Sequence, residues 1–205
     1  VGQALPENTV RLIAISDSAI AAWSDAVEVP EGEIGEVTVV GPSSTDSYFR
    51  RDEANRLGKI PEVLSDGSIR IVHRMGDLAW RDSQGRLWFC GRKSQRLQTR
   101  IGLLGTENVE PIFNRHPSVK RSALVGIGVY GEQKPVLCLE LDPRNSLPET
   151  QWRAELLALA RTHRHIQTLD TFLVHPGFPV DIRHNAKIGR EALTLWAAKQ
   201  LGASP

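Results

Sequence analysis

"MGDLAWRDSQGRLWFCGRK", residues 75–93, decides how this chain is read. Two apolar runs, 78–81 and 87–91, flank Asp82 and Gly85, residues suited to a tight turn, so the stretch predicts a β-hairpin. The second run ends in Gly91, Arg92 and Lys93, where apolar character gives way to charge, and this is the expected domain boundary. Upstream, residues 9–14, 35–40 and 69–73 cluster β-branched and apolar side chains, with Gly32 and Gly41 as punctuation, which predicts further short strands. Residues 1–91 therefore read as a small β-rich, essentially all-β unit.

Beyond residue 93 the periodicity changes. Residues 108–115 place Val109, Ile112 and Phe113 on one helical face, with Thr106 as the expected cap, Glu107 at the positive end of the helix dipole and Pro117 as a stop. Runs 119–129 and 136–141 read as two strands of a hairpin joined by "YGEQKP", burying Leu124, Val136 and Leu139. Ser146 and Glu149 have capping-box spacing, Pro148 suits a first turn, and Trp152, Leu156, Leu159 and Ala160 make an apolar stripe through Arg161. A strand over 169–174 and a terminal helix over 190–199, packing Leu193, Trp196 and Ala197, complete the pattern. The expected fold class is α+β, with the β-rich unit followed by an α+β unit over 92–205.

Composition narrows the function classes. A chain of 205 residues fits one ordinary domain or two small ones. Lys+Arg 25 against Asp+Glu 24 leaves a formal charge of +1, so no global electrostatic argument favours nucleic acid or an anionic membrane. Hydrophobic residues at 40% and five tryptophans supply a core, and no run approaches the roughly 18 apolar residues of a membrane span. The start lacks an initiator methionine and a basic-then-apolar signal and reads as the interior of a longer protein, which says nothing about export; the expected location is the cytoplasm. Cys90 and Cys138, in separate apolar runs without ligand spacing, are expected to be buried reduced thiols. His163 and His165 are poorly spaced for zinc, so no metal site is assigned. Ser122 and Ser146 lack a glycine-flanked elbow, and no glycine-rich phosphate loop is present.

Three positions carry candidate chemistry. Asp77, after a glycine at the start of a strand, suits the acceptance of two hydrogen bonds from vicinal ribose hydroxyls, and equally suits a turn aspartate bonding its own backbone. Arg92 offers a guanidinium fork to ribose or phosphate oxygens, or to an interdomain salt-bridge cluster; Lys93 and Arg96 are expected to face solvent or a partner. Lys187, between a polar loop and a helix, is on its own an ordinary surface lysine. Placed beside a carboxylate and an α-phosphate, it would neutralise charge that grows during attack on ATP.

Taken together, "MGDLAWRDSQGRLWFCGRK", "ENVEPIFNRHPSV" and "NAKIGR" resemble, in order and separation, the last portion of the adenylate-forming superfamily of acyl-CoA synthetases, adenylation domains and luciferases. The resemblance covers residues 70–195. "GRLWFCGRK", "NRHPSVKRSALVG" and "VDIRHNAKIGREAL" look closest to its β-lactone synthetase branch of bacterial olefin biosynthesis. That branch implies ATP activation of a long-chain 2-alkyl-3-hydroxy acid, release of pyrophosphate, ring closure by the substrate's own hydroxyl, and loss of AMP. A long-chain acyl-CoA synthetase, which needs CoA as acceptor, and a non-catalytic interaction module with the lid fold are the alternatives.

Carried over by position, the resemblance implies that Asp77 binds ribose, that Arg92 contacts ribose or phosphate, and that Lys187 serves adenylation. Arg100 is a weaker nucleotide or interdomain candidate, and Arg92, Lys93 and Ser94 form the hinge. ATP and Mg2+ are the implied cofactors of the intact enzyme, with neither held tightly by this chain alone. Two departures stand out: Ser94 where the family has an acidic residue or lysine, and Ala186 where it has glycine. Alanine disfavours a left-handed backbone, and a restricted hinge would suit a reaction with no thiol acceptor to admit. The phosphate loop and aromatic-threonine-glutamate motif are expected in an N-terminal adenylation domain, the implied partner. Residues 1–91 would end that domain and 92–205 would be its lid, with an exposed former interface that favours dimerisation.

Overall fold

The structure, a computed structural model, describes residues 2–181 and 184–203, and of residues 184–186 the backbone only. It contains two compact units, Val1–Ser94 and Gln95–Pro205.

The first unit is built on β1 (Thr9–Ile13), β2 (Gly35–Val40), a short helix α1 (Asp52–Gly58), β3 (Lys59–Val63), β4 (Ile69–Arg81) and β5 (Leu87–Arg92). The strands make one antiparallel sheet in which β2 pairs with β1 and with β4, and β4 also pairs with both β3 and β5. The runs 69–73 and 78–81, expected as separate strands, are one strand of 13 residues. Pairing with β2 holds on both sides of residues 75–77, and a register shift between Glu36 and Thr38 absorbs the residues left unpaired between. The α1–β3 segment falls outside the all-β expectation. Its strand is masked in sequence by Pro61 and Glu62, tolerable because β3 has only β4 as a neighbour.

The β4–β5 turn forms as the sequence predicts. Asp82 Oδ1 accepts from the Gln84 and Arg86 amides and Oδ2 from Arg86 Nε and Trp88 Nε1, at 2.7–3.0 Å. Gly85 has φ +75, a left-handed value that a side chain would strain. Ile13, Ile60 and Val72 form the core of this unit, with Trp23 and Val40 packed against them.

The second unit contains β6 (Leu97–Thr99), β7 (Gly102–Leu104), α2 (Thr106–Phe113), β8 (Val119–Ile127), β9 (Lys134–Leu141), α3 (Glu149–Arg161), β10 (Phe172–Val174), β11 (Val180–Asp181), β12 (His184–Ile188) and α4 (Arg190–Leu201). Its main sheet runs β10-β9-β8, with β8–β9 antiparallel and β9–β10 parallel.

Alternation along β8 and β9 explains the layering. Leu124, Leu137 and Leu139 point into one core with Val109 and Phe113 of α2 and Trp152, Leu156 and Ala160 of α3. Ala123, Val125, Val136 and Cys138 point into the other, with Leu193, Ala197 and Ala198 of α4. Helices thus cover both faces of the sheet.

The expected helix caps are not those that form. Gly105, not Thr106, caps α2, and Pro148 caps α3 without the Ser146–Glu149 capping box. The strands expected over 119–129 and 169–174 shorten to β8 and β10. Cys90 and Cys138 are buried thiols outside any disulfide among the described residues, as expected.

Candidate functional site

Asp77 lies on β4 and Arg92 ends β5, and the antiparallel register sets them directly opposite one another. Arg92 Nη1 is 2.8 Å from Asp77 Oδ1, an ion pair rather than an aligned hydrogen bond. The Asp77 side chain is 22% exposed and that of Arg92 59%. Burial pushes the Asp77 carboxyl above the usual carboxylate range, and the Arg92 guanidinium pulls against that rise. A half-buried acceptor beside an exposed planar donor can hold vicinal hydroxyls on one side and an anion on the other.

The next residue, Lys93, turns inward, contrary to the expectation that it faces solvent. Its Nζ is 3.0 Å from Glu36 Oε1 and 3.1 Å from Oε2, and donates to the Ser16 carbonyl at 2.8 Å. Glu36 is almost wholly buried and also takes two bonds from Arg74, Nη2 to Oε2 at 2.7 Å and Nε to Oε1 at 3.2 Å. Arg74 in turn donates to the carbonyls of Ser16, Ser18 and Leu57. One carboxylate between two cations, each also hydrogen-bonded to backbone, satisfies the buried charges and fixes Lys93 to the first unit. Arg96, in the second unit, donates Nη2 to the Tyr130 hydroxyl at 2.6 Å.

In the second unit, Lys187 is exposed on β12. That strand pairs antiparallel with β11, Val180 opposite Ile188. Ala186 lies in the same strand, and its side chain is outside the described residues. Arg100 pairs with Glu132 at 2.8 Å, with both side chains well exposed, so the contact is of the weak surface kind. Asp77 and Arg92 are brought together; Lys187 and Arg100 stand on separate strands or turns of the other unit.

Sequence reading missed four charged residues that organise these positions: Glu36, Arg74, Glu110 and Arg190. The available signal was a charge inside an apolar run, as in "GEVTVV" (35–40) and "NVEPIF" (108–113). Glu110, on α2, accepts the Leu124 amide at 2.7 Å and binds Arg190, the first residue of α4, through both carboxylate oxygens at 2.5 and 2.9 Å. Burial pushes the Glu110 carboxyl upward, with Arg190 and the Leu124 amide opposing.

No protein-family model matches the chain. An olefin β-lactone synthetase of Xanthomonas campestris pv. campestris is 55% identical over 203 residues, covering 98% of this chain and 36% of that protein. The olefin β-lactone synthetase of Stenotrophomonas maltophilia is 54% identical over 202 residues, with the same coverages. This chain therefore spans about a third of the length of these relatives. Among solved structures, the amide bond synthetase McbA from Marinactinospora thermotolerans superposes with a TM-score of 0.71 at 22% identity, covering 96% of this chain and 35% of that one. ATP-bound MatB from Rhodopseudomonas palustris gives 0.71 at 20% identity, covering 98% and 36%. At these identities the two structures establish a shared fold.

Proposed function

Because the chain belongs to the adenylate-forming superfamily, as a homologue of the C-terminal portion of the olefin β-lactone synthetases, we propose that it is the ribose-binding strand pair and the lysine-bearing lid of an ATP-dependent, AMP-forming synthetase. The substrate of the intact protein is a long-chain 2-alkyl-3-hydroxy acid. Its carboxylate attacks the α-phosphate of ATP, releasing pyrophosphate; the 3-hydroxyl oxygen then attacks the acyl carbon, loses its proton, closes a β-lactone and expels AMP.

Within that sequence Asp77 accepts the ribose hydroxyls, and Arg92 frees part of its fork from Asp77 to meet ribose or phosphate oxygens. Lys187, exposed and on a short strand, approaches the carboxylate and α-phosphate, where a preorganised cation is most effective as charge develops. Arg100 is a peripheral nucleotide or interdomain contact. Mg2+ accompanies the nucleotide. Among the described residues no group of three His, Cys, Asp or Glu side chains gathers to hold a metal ion.

Residues 1–91 are assigned as the end of an N-terminal adenylation domain and 92–205 as its lid, with Arg92, Lys93 and Ser94 as the hinge. The inward anchoring of Lys93 supports a pivot that begins at Ser94. No described helix is long and apolar enough to cross a membrane, and we place the protein in the cytoplasm, its exposed former interface able to dimerise when the chain stands alone.

The observation that carries this reading is the 55% identity to a β-lactone synthetase across nearly the whole chain, and the Asp77–Arg92 ion pair supports the roles given to those two residues. The intact parent, given ATP and a 2-alkyl-3-hydroxy acid without CoA, is expected to yield β-lactone, AMP and pyrophosphate in equal amounts. A product that appears only with CoA and is a thioester would replace this reading with an acyl-CoA synthetase, and no pyrophosphate under either condition would leave a non-catalytic module.

A further inference from the structure

Arg190 is the first residue of α4 and follows Lys187 by two intervening residues. Its guanidinium makes four hydrogen bonds. Both nitrogens of its fork grip Glu110, at 2.5 and 2.9 Å; Nη1 also donates to the Leu124 carbonyl at 3.2 Å, and Nε to Gln95 Oε1 at 3.2 Å. Glu110 closes the ring by accepting the Leu124 amide. One part-buried node thus joins α2, β8, the start of α4 and Gln95, the first residue of the second unit.

The two residues between Arg190 and Lys187 are also held. Ile188 pairs with Val180, and the Gly189 amide donates to the Pro179 carbonyl at 2.7 Å. Little backbone freedom remains between the node and Lys187, while the lysine side chain itself is exposed.

We propose that Arg190, clamped by Glu110, is a positioning residue for Lys187: it ties the lysine-bearing strand to α2, β8 and Gln95, so that whatever turns Gln95 turns Lys187 with it. The fork is essential to this role. A lysine at 190 would keep the charge but could not bond both carboxylate oxygens, the Leu124 carbonyl and Gln95 from one rigid plane. A buried pair of this kind adds little net stability compared with an apolar substitute and gives directional specificity instead.

The catalytic half of the proposal rests on the role given to Lys187 above; the structural half does not, and two measurements separate them. In the 205-residue chain, hydrogen exchange of Arg190→Lys and of the milder Glu110→Gln is compared with wild type. Amides of β12 and the first turn of α4 are expected to exchange about tenfold faster while those of β8 and β9 keep their protection. Unchanged exchange in both variants, or a uniform rise over the whole unit in both, overturns the proposal.

In the intact parent, Arg190→Lys is expected to slow acyl-adenylate formation about 10- to 100-fold, the scale of a small misplacement of a reacting group. The KM for ATP should stay the same, and Arg190→Lys should cause no further loss in a Lys187→Ala background. Equal slowing in both backgrounds would reduce Arg190 to general scaffolding and overturn the positioning role. If Lys187→Ala leaves adenylation intact, the reading of Lys187 fails and the catalytic half fails with it, whatever the exchange data show.

Discussion

Arg92 faces Asp77 across one rung of the β4–β5 ladder, Nη1 2.8 Å from Oδ1. Each is the other's partner before any ligand arrives, so a nucleotide that uses the carboxylate must share or displace the guanidinium.

The first prediction concerns this pair and pH. Burial raises the Asp77 carboxyl and Arg92 lowers it, and ribose hydroxyls need the ionised form. Nucleotide affinity of the parent enzyme is expected to fall as pH drops through the raised Asp77 value. In Arg92→Ala that fall moves to higher pH. Calorimetric titration with AMP across pH checks the direction, and a shift to lower pH would contradict it.

Lys187→Ala should leave the fold intact, since the side chain is exposed, and should cut pyrophosphate release by the parent about 100- to 1,000-fold, the scale of losing one preorganised charge donor. Ring closure from a supplied acyl adenylate should be affected far less. Comparing the two half-reactions measures this.

Glu36 is 1% exposed between Arg74 and Lys93. Glu36→Gln leaves two cations facing a neutral amide, and the expected loss is about 3–5 kcal/mol. Urea denaturation followed by tryptophan fluorescence of the first unit should show it, and Lys93→Met, which leaves the Glu36–Arg74 pair in place, should cost less.

Two carboxylates set an acid limit, one in each unit. Arg11 and Arg70 hold Glu62 down at about 2, against the opposing effect of burial. Glu140 is also buried, which works against ionisation, but Arg121, the Phe178 amide and Lys120 bring it to about 2. Because both fold with a lowered value, their stabilisation is fully present above the unfolded carboxylate range near 4.5 and is lost as pH falls from there toward 2. Thermal melting from pH 6 to pH 2 should show a steep fall in that window, flattened for the first unit by Arg11→Met and for the second by Arg121→Met.

Alternation and helical stripes were enough to read the second unit. Leu124, Val136 and Leu139 are buried as their spacing requires, and Trp152, Leu156 and Ala160 line α3. Local signals failed where tertiary partners decide: Ser146 has the right spacing for a cap that Pro148 takes instead, and Pro61 disguises an edge strand. The charge networks were unreadable for a simpler reason. Glu36 meets Arg74 and Lys93 across 38 and 57 residues of sequence, and Glu110 meets Arg190 across 80; no window along the chain contains both ends. Asp77, Arg92 and Lys187 are site candidates only through the resemblance of their motifs to a family, since each alone has an ordinary structural explanation.

The burial of Cys138 against α4 has a practical consequence. Burial pushes its thiol up to about 12, so the reactive thiolate is scarce at neutral pH, and Cys90 is equally buried. The native chain is therefore quiet toward thiol-directed reagents. A single cysteine introduced at an exposed position such as Leu195 would accept a spin label or fluorophore cleanly, making distance changes in the intact protein measurable without first removing either natural cysteine.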